Sequence, residues 1–198
     1  MKTFKENSYD IVRLYINQLG IMIFSMLLYT AVGSFSDEKL SKISSIVVSV
    51  FSVCFYLVLV YYVLWEIGAK DKIRIDGGKM VPTPKKGLIM GLFANIPNFA
   101  LGLLTVLFLV LFMITKNDGL YAAFLILNTI TRFHSSMYLG VISIIPGRTS
   151  GDAVDYNEFL IESILFTVLP IISPLVTHLA YTLGSKEKRL LPFTRFKK

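Results

Sequence analysis

Residues 70–98 read KDKIRIDGGKMVPTPKKGLIMGLFANIPN, and the change of character inside this stretch decides the fold. Its first part is a basic polar loop, with Lys70, Lys72, Arg74, Lys79, Lys85 and Lys86 against Asp71 and Asp76. From Gly87 the chain turns apolar and stays so to Thr115, interrupted only at Asn95, Pro97 and Asn98. A run of this length suits a hydrocarbon core about 30 Å thick, so the stretch predicts a helix entering a membrane from a basic connection. Pro97 has no amide hydrogen to give the Phe93 carbonyl, which predicts a kink or break there. Within the loop, Ile73 and Ile75 alternate with charges up to Asp76-Gly77-Gly78, a pattern suited to a small hairpin. Pro82 and Pro84 exclude helix through 81–84 and suit a helix start near Lys85.

The rest of the chain has the same character. Of its 198 residues 54% are hydrophobic and only 17% charged, with a mean hydropathy of +0.64. Soluble domains carry about 25% charged residues, and here the deficit sits in long uncharged runs. The expected fold is an all-α integral membrane protein, a single membrane domain over residues 1–198. Four transmembrane helices are predicted at about 11–35, 43–67, 87–115 and 159–183, with a re-entrant or interfacial helical segment at about 120–146 on the outer side. The formal charge of +7 fits basic residues gathered on the cytoplasmic face against an anionic inner leaflet. No basic-aromatic pattern supports nucleic-acid binding.

Residues 1–18 mix both charges with apolar positions, as a short amphipathic helix on the inner face would. A cleaved signal peptide competes, since Ala31-Val32-Gly33 is a passable cleavage site, but the polar leader is long and carries Glu6 and Asp10. In 43–67, Ser45 and Ser49 lie four apart and predict a small face for close helix contact, as do Gly87 and Gly91 further on. Tyr61, Tyr62 and Trp65 resemble an interfacial aromatic belt. Cys54 is alone, which excludes an intrachain disulfide, and its apolar setting predicts a packing role.

The segment 120–146 is ambiguous, because Asn128, Thr129, Thr131, Arg132, His134, Ser135 and Ser136 divide two apolar halves. A full crossing would put Arg132 near the bilayer centre at about 2.5–3.5 kcal/mol before pairing. Charge distribution decides. With four spans and both termini inside, the inner segments hold 15 Lys/Arg and the outer ones hold 5. A fifth crossing would move the basic tail outside and leave the two sides nearly even. The positive-inside rule therefore favours four spans.

Chemistry-bearing groups are few. The Asn95-Ile96-Pro97-Asn98 break suits a discontinuous-helix transport site, or else a proline kink whose asparagines bond neighbouring helices. Arg132 can pair with Glu162 or remain solvated near the outer interface. Glu66 and His178 can form a carboxylate–histidine pair; the alternative is an interfacial Glu66 and a His178 bonded to a backbone carbonyl. HExxH, GxSxG, P-loop and GxGxxG motifs are absent, and every Asp falls in a predicted loop or terminus. The expectation is a non-enzyme without catalytic, cofactor-binding or metal-ligating residues.

The run Asp71…Gly77…Lys86-Gly87…Gly91…Ile96-Pro97, with Pro174…Tyr181-Thr182-Leu183-Gly184 before a basic tail, resembles unannotated small multi-span membrane proteins of low-GC Gram-positive bacteria. That resemblance implies a bacterial plasma membrane and no activity; the charge count, for its part, puts both termini on the cytoplasmic side. The expected function is an accessory or interaction subunit of a membrane assembly, with a membrane protein partner or a homo-oligomer. The alternative is a small transporter or channel-like protein using the break at 95–98.

Overall fold

A computed structural model describes residues 7–34, 37–144 and 156–188. All its regular elements are helical: α1 (Ser8–Gly33), α2 (Glu38–Asp76), α3 (Lys86–Ala94), α4 (Ile96–Thr115), α5 (Asp118–His134), α6 (Leu139–Ile142), α7 (Tyr156–Val168) and α8 (Ile172–Ser185). Four helical stretches are long and apolar enough to cross a membrane: Ser8–Gly33, Lys39–Asp76, Ile96–Thr115 and Tyr156–Ser185. The chain is an all-α, multi-pass membrane protein. In the most apolar stretch of each span only 28% is buried within the chain, so most of that surface is left to hydrocarbon. The 17-residue α5 falls outside this set. Residues 1–6, 35–36, 145–155 and 189–198, the last with Arg189, Arg195, Lys197 and Lys198, lie outside the described residues.

The hairpin expected at 70–78 is not formed. α2 runs on to Asp76, because Glu66–Lys70 (2.7 Å) and Lys72–Asp76 (3.0 Å) are helical i,i+4 pairs. The buried positions Tyr56, Val60, Leu64, Ile67 and Asp71 also keep helical period through this segment. Asp76-Gly77-Gly78 ends the helix instead: Lys79 N–H donates to Arg74 O (2.8 Å), Gly78 N–H to Ile75 O (2.9 Å), and Gly78 takes φ +68°. These bonds form a Schellman cap, whose αL position costs glycine nothing. The expected helix start near Lys85 is present, with α3 opening at Lys86.

The run 87–115 is two helices. α3 stops at Ala94 and α4 begins at Ile96, so that Pro97 falls in the first turn, where a missing N–H breaks no intrahelical bond. The last span is interrupted as well, by a 3-10 turn at Leu169–Ile171 containing Pro170.

The chain packs as two compact units. One comprises 7–17, 55–95 and 172–188. In it α3 lies against α8, and glycines allow the contact. A Cβ on Gly87 would strike Tyr181 and Thr177, and one on Gly91 would strike Thr177 and Pro174. On α2 of this unit, Tyr61 and Trp65 are core residues at 5% and 3% exposure, not a membrane-surface belt; Tyr62 alone of the three faces outward. Trp65 Nε1–H donates to Lys188 O (2.7 Å), which satisfies its polar edge inside the protein.

The other unit comprises 18–54 and 96–171. There α4 packs on both α5 and α7. Leu109, Phe112 and Phe124 form a core with Tyr121, Tyr156 and Phe159 around it, and Lys116 Nζ lies 5.8 Å from the Phe112 ring. Thr105 and Thr131 share a hydrogen bond of 2.8 Å between α4 and α5. Cys54, expected to pack, is exposed, because α2 buries Ser45, Ser49 and Ser52 on another face.

Candidate functional site

The strongest concentration of polar chemistry lies in the first unit, where α2, α3 and α8 meet. Lys86 Nζ sits 2.6 Å from Asp71 Oδ2, and the Tyr181 hydroxyl donates to the same oxygen at 3.0 Å. The side chains of Lys86 and Asp71 are 6% and 3% exposed, so both charges have left water. Burial on this scale is tolerated only where each charge meets a partner of opposite sign and further hydrogen bonds. Close helix approach creates the cluster: Gly68 on α2 faces the Tyr181 carbonyl of α8, and Gly184 faces the Trp65 carbonyl.

Further along the same helices is an uncharged cluster. Asn95 Nδ2 donates to Gly91 O (2.8 Å) and to Ser173 Oγ (3.2 Å), and Ser173 Oγ is 3.0 Å from the Tyr56 hydroxyl. All three residues are essentially inaccessible. Asn95 therefore caps α3 while tying it to the first turn of α8.

Asn95 enters the uncharged cluster, while Pro97 and Asn98 lie in α4, Asn98 buried in the second unit. Arg132 and Glu162 are brought together across α5 and α7 in a two-pronged pair: Nε to Oε1 at 2.8 Å and Nη2 to Oε2 at 2.7 Å. This is the fork geometry in which arginine holds a carboxylate best. Glu66 and His178 do not pair. Glu66 is held by Lys70, one helical turn on, and the His178 Nδ1 makes no hydrogen bond among the described residues, to a carbonyl or otherwise.

The small-residue faces are used within the chain. Ser49 Oγ donates to the Met137 carbonyl and accepts from Val141 N–H, while Gly140 rests on the Ser45 carbonyl. Gly87 and Gly91 are covered by α8, as described above. A cleft of about 240 Å³ in the second unit is lined by Met26, Tyr29, Thr129, Arg132, Phe133 and Leu139, among others.

Asp71, Lys86, Tyr181, Tyr56 and Ser173 escaped the sequence reading, which assigned Asp71 and Lys86 to a solvated loop. One signal was present: if α2 continues past Ile67, Asp71 falls on the same face as Tyr56, Val60 and Leu64. Among the described residues no group of three His, Cys, Asp or Glu side chains has the arrangement of a metal site. Compared with protein-family models, with curated proteins and with solved structures, the chain finds no match.

Proposed function

We propose that this protein is a non-enzymatic component of a plasma-membrane assembly, working as an accessory or interaction subunit, with both termini and the 77–85 connection on the cytoplasmic side. One observation supports this role most directly. Among the described residues, most of the charged and amide side chains inside the helices are bound to other groups of the chain: Asp71 to Lys86 and Tyr181, Arg132 to Glu162, Asn95 to the Gly91 carbonyl and Ser173. Groups committed in this way hold helices together. What faces outward is apolar and arranged in stripes. Leu103, Leu107, Leu111 and Ile114 are 37–74% exposed along one side of α4, as are Ile43, Val47 and Phe51 on α2 at 51–61%. Such stripes suit lipid or the helix of a partner. The cytoplasmic placement rests on the excess of Lys/Arg in the segments assigned inside.

A photo-crosslinking residue placed at Leu107 or at Val47 in living cells is expected to give a discrete adduct with one membrane protein at one of these sites. Lipid adducts alone at both positions would refute the subunit role.

A small transporter or channel-like protein is the second reading. Favouring it, two interrupted helices meet at Asn95 and Ser173, and discontinuous helices are how transporters expose backbone groups inside a membrane. Asn95→Ala separates the two. For a subunit it costs about 1 kcal/mol of stability, the worth of the lost hydrogen bonds, and changes no flux. Abolished substrate or ion flux in proteoliposomes, with folding intact, would favour the transporter.

A further inference from the structure

One cleft of the second unit lies beside Arg132. Its lining is mainly hydrocarbon, from Met26, Phe133 and Leu139, with the Tyr29 ring near the end of α1. Into this lining Arg132 brings five N–H donors on a planar head. Glu162 engages Nε and Nη2, and Nη1 has no hydrogen-bond partner among the described residues. The neighbouring threonine and serine hydroxyls do not compete for an acceptor. Thr30, Thr129 and Ser136 each donate to a backbone carbonyl, of Leu27, Leu125 and Met22, at 2.8–2.9 Å. The donors of this wall left without a partner among the described residues are thus Arg132 Nη1 and the Tyr29 hydroxyl.

Arg132 lines this cleft, and a donor left without a partner among hydrocarbon is costly unless an acceptor reaches it. Leu27 and Ile130, beside the lining residues on their own helices, are 65% and 45% exposed, so this part of the surface is apolar. In a membrane protein such a surface is bathed in lipid. Lipids carry the missing chemistry, phosphodiester and ester oxygens joined directly to acyl chain. The size also fits, since an apolar cavity of about 150 Å³ already admits benzene, and this one has about 240 Å³. We propose that the cleft binds one phospholipid of the surrounding bilayer. A phosphodiester or ester oxygen accepts from Arg132 Nη1, and the first segment of an acyl chain lies against Met26, Phe133 and Leu139. Glu162 keeps the site near neutrality and so limits its preference for anionic lipid.

The test uses the full chain in nanodiscs of mixed phosphatidylcholine and phosphatidylglycerol, with retained lipid counted by native mass spectrometry. One phospholipid adduct is expected on the unmodified chain. Arg132→Gln should lower its occupancy about tenfold, the worth of one hydrogen bond from a charged donor. Thr129→Trp, which fills the cleft and leaves the Arg132–Glu162 pair intact, should remove the adduct as well. Glu162→Gln frees the guanidinium charge and should shift the adduct toward phosphatidylglycerol. Inorganic phosphate in the sample should displace nothing. Should Arg132→Gln fail to fold, the other two variants carry the test. The proposal is overturned by an adduct unchanged in Thr129→Trp, by a lipid preference unmoved in Glu162→Gln, by displacement with inorganic phosphate, or by a protein crosslinked into the cleft.

Discussion

Asp71→Ala is expected to destabilise the protein by about 3–5 kcal/mol, the usual result of removing one member of a buried ion pair. In the native protein the Asp71 carboxylate accepts from Lys86 Nζ at 2.6 Å and from the Tyr181 hydroxyl at 3.0 Å. Its removal leaves Lys86, whose side chain is 6% exposed, without the carboxylate that balances its charge. No discount for solvent screening applies, since both partners are almost fully enclosed. The informative companion is the double variant Asp71→Leu with Lys86→Met. Exchanging a whole buried pair for apolar residues of similar volume is often neutral or stabilising, so most of the loss should return. Denaturant unfolding in detergent, followed by circular dichroism, measures both. If Asp71→Ala unfolds at the same midpoint as the parent, water or lipid headgroups reach Lys86 and the cluster holds nothing together.

Gly184→Ala should be nearly as damaging, at or above the roughly 3 kcal/mol upper end for overpacking. The new methyl would collide with the Trp65 carbonyl oxygen and lie within 3.0 Å of its Cα. These are backbone atoms of another helix, which cannot rotate away as a side chain can. Gly140→Ala meets the Ser45 carbonyl in the same manner within the second unit. Gly20 supplies the control, because nothing lies within 4 Å of the place its Cβ would occupy. Within α1, Gly20→Ala should leave stability unchanged or raise it by up to about 1 kcal/mol, the helix-propensity difference. Thermal unfolding of the three variants side by side distinguishes close helix contact from a general intolerance of substitution. Equal midpoints for Gly184→Ala and Gly20→Ala would mean that α2 and α8 do not approach as described.

Neither expectation rests on a residue that the sequence marks by itself. Gly184 stands outside the small-residue pairs Ser45/Ser49 and Gly87/Gly91 that the sequence marks for close contact, and Asp71 sits in a stretch whose charges and Asp-Gly turn signal read as solvated loop. Lys86 was likewise counted among solvated basic residues, yet it is buried in α3. A sum of charge over a loop cannot identify the lysine whose partner is a carboxylate 15 positions earlier. The same holds for Arg132 and Glu162, 30 positions apart. Their types and rough placement made a pair possible, and only the packing of α5 against α7 brings them within 2.8 Å.

By itself the sequence determined the class and the punctuation of this protein. Uncharged runs of spanning length made it helical and membrane-embedded, because a backbone in hydrocarbon has to satisfy its own hydrogen bonds. Pro82, Pro84 and Pro97 placed the helix start near Lys85 and the break after Ala94, because a missing N–H acts locally. The tertiary structure alone decided which face of each helix is packed and which polar groups meet. Helices apolar on every side carry little period to tell a lipid face from a packed one. Trp65 therefore turned inward, Cys54 outward, and the Ser45/Ser49 and Gly87/Gly91 faces were taken up by the chain's own segments. An ion pair depends on three-dimensional proximity, and composition does not encode it.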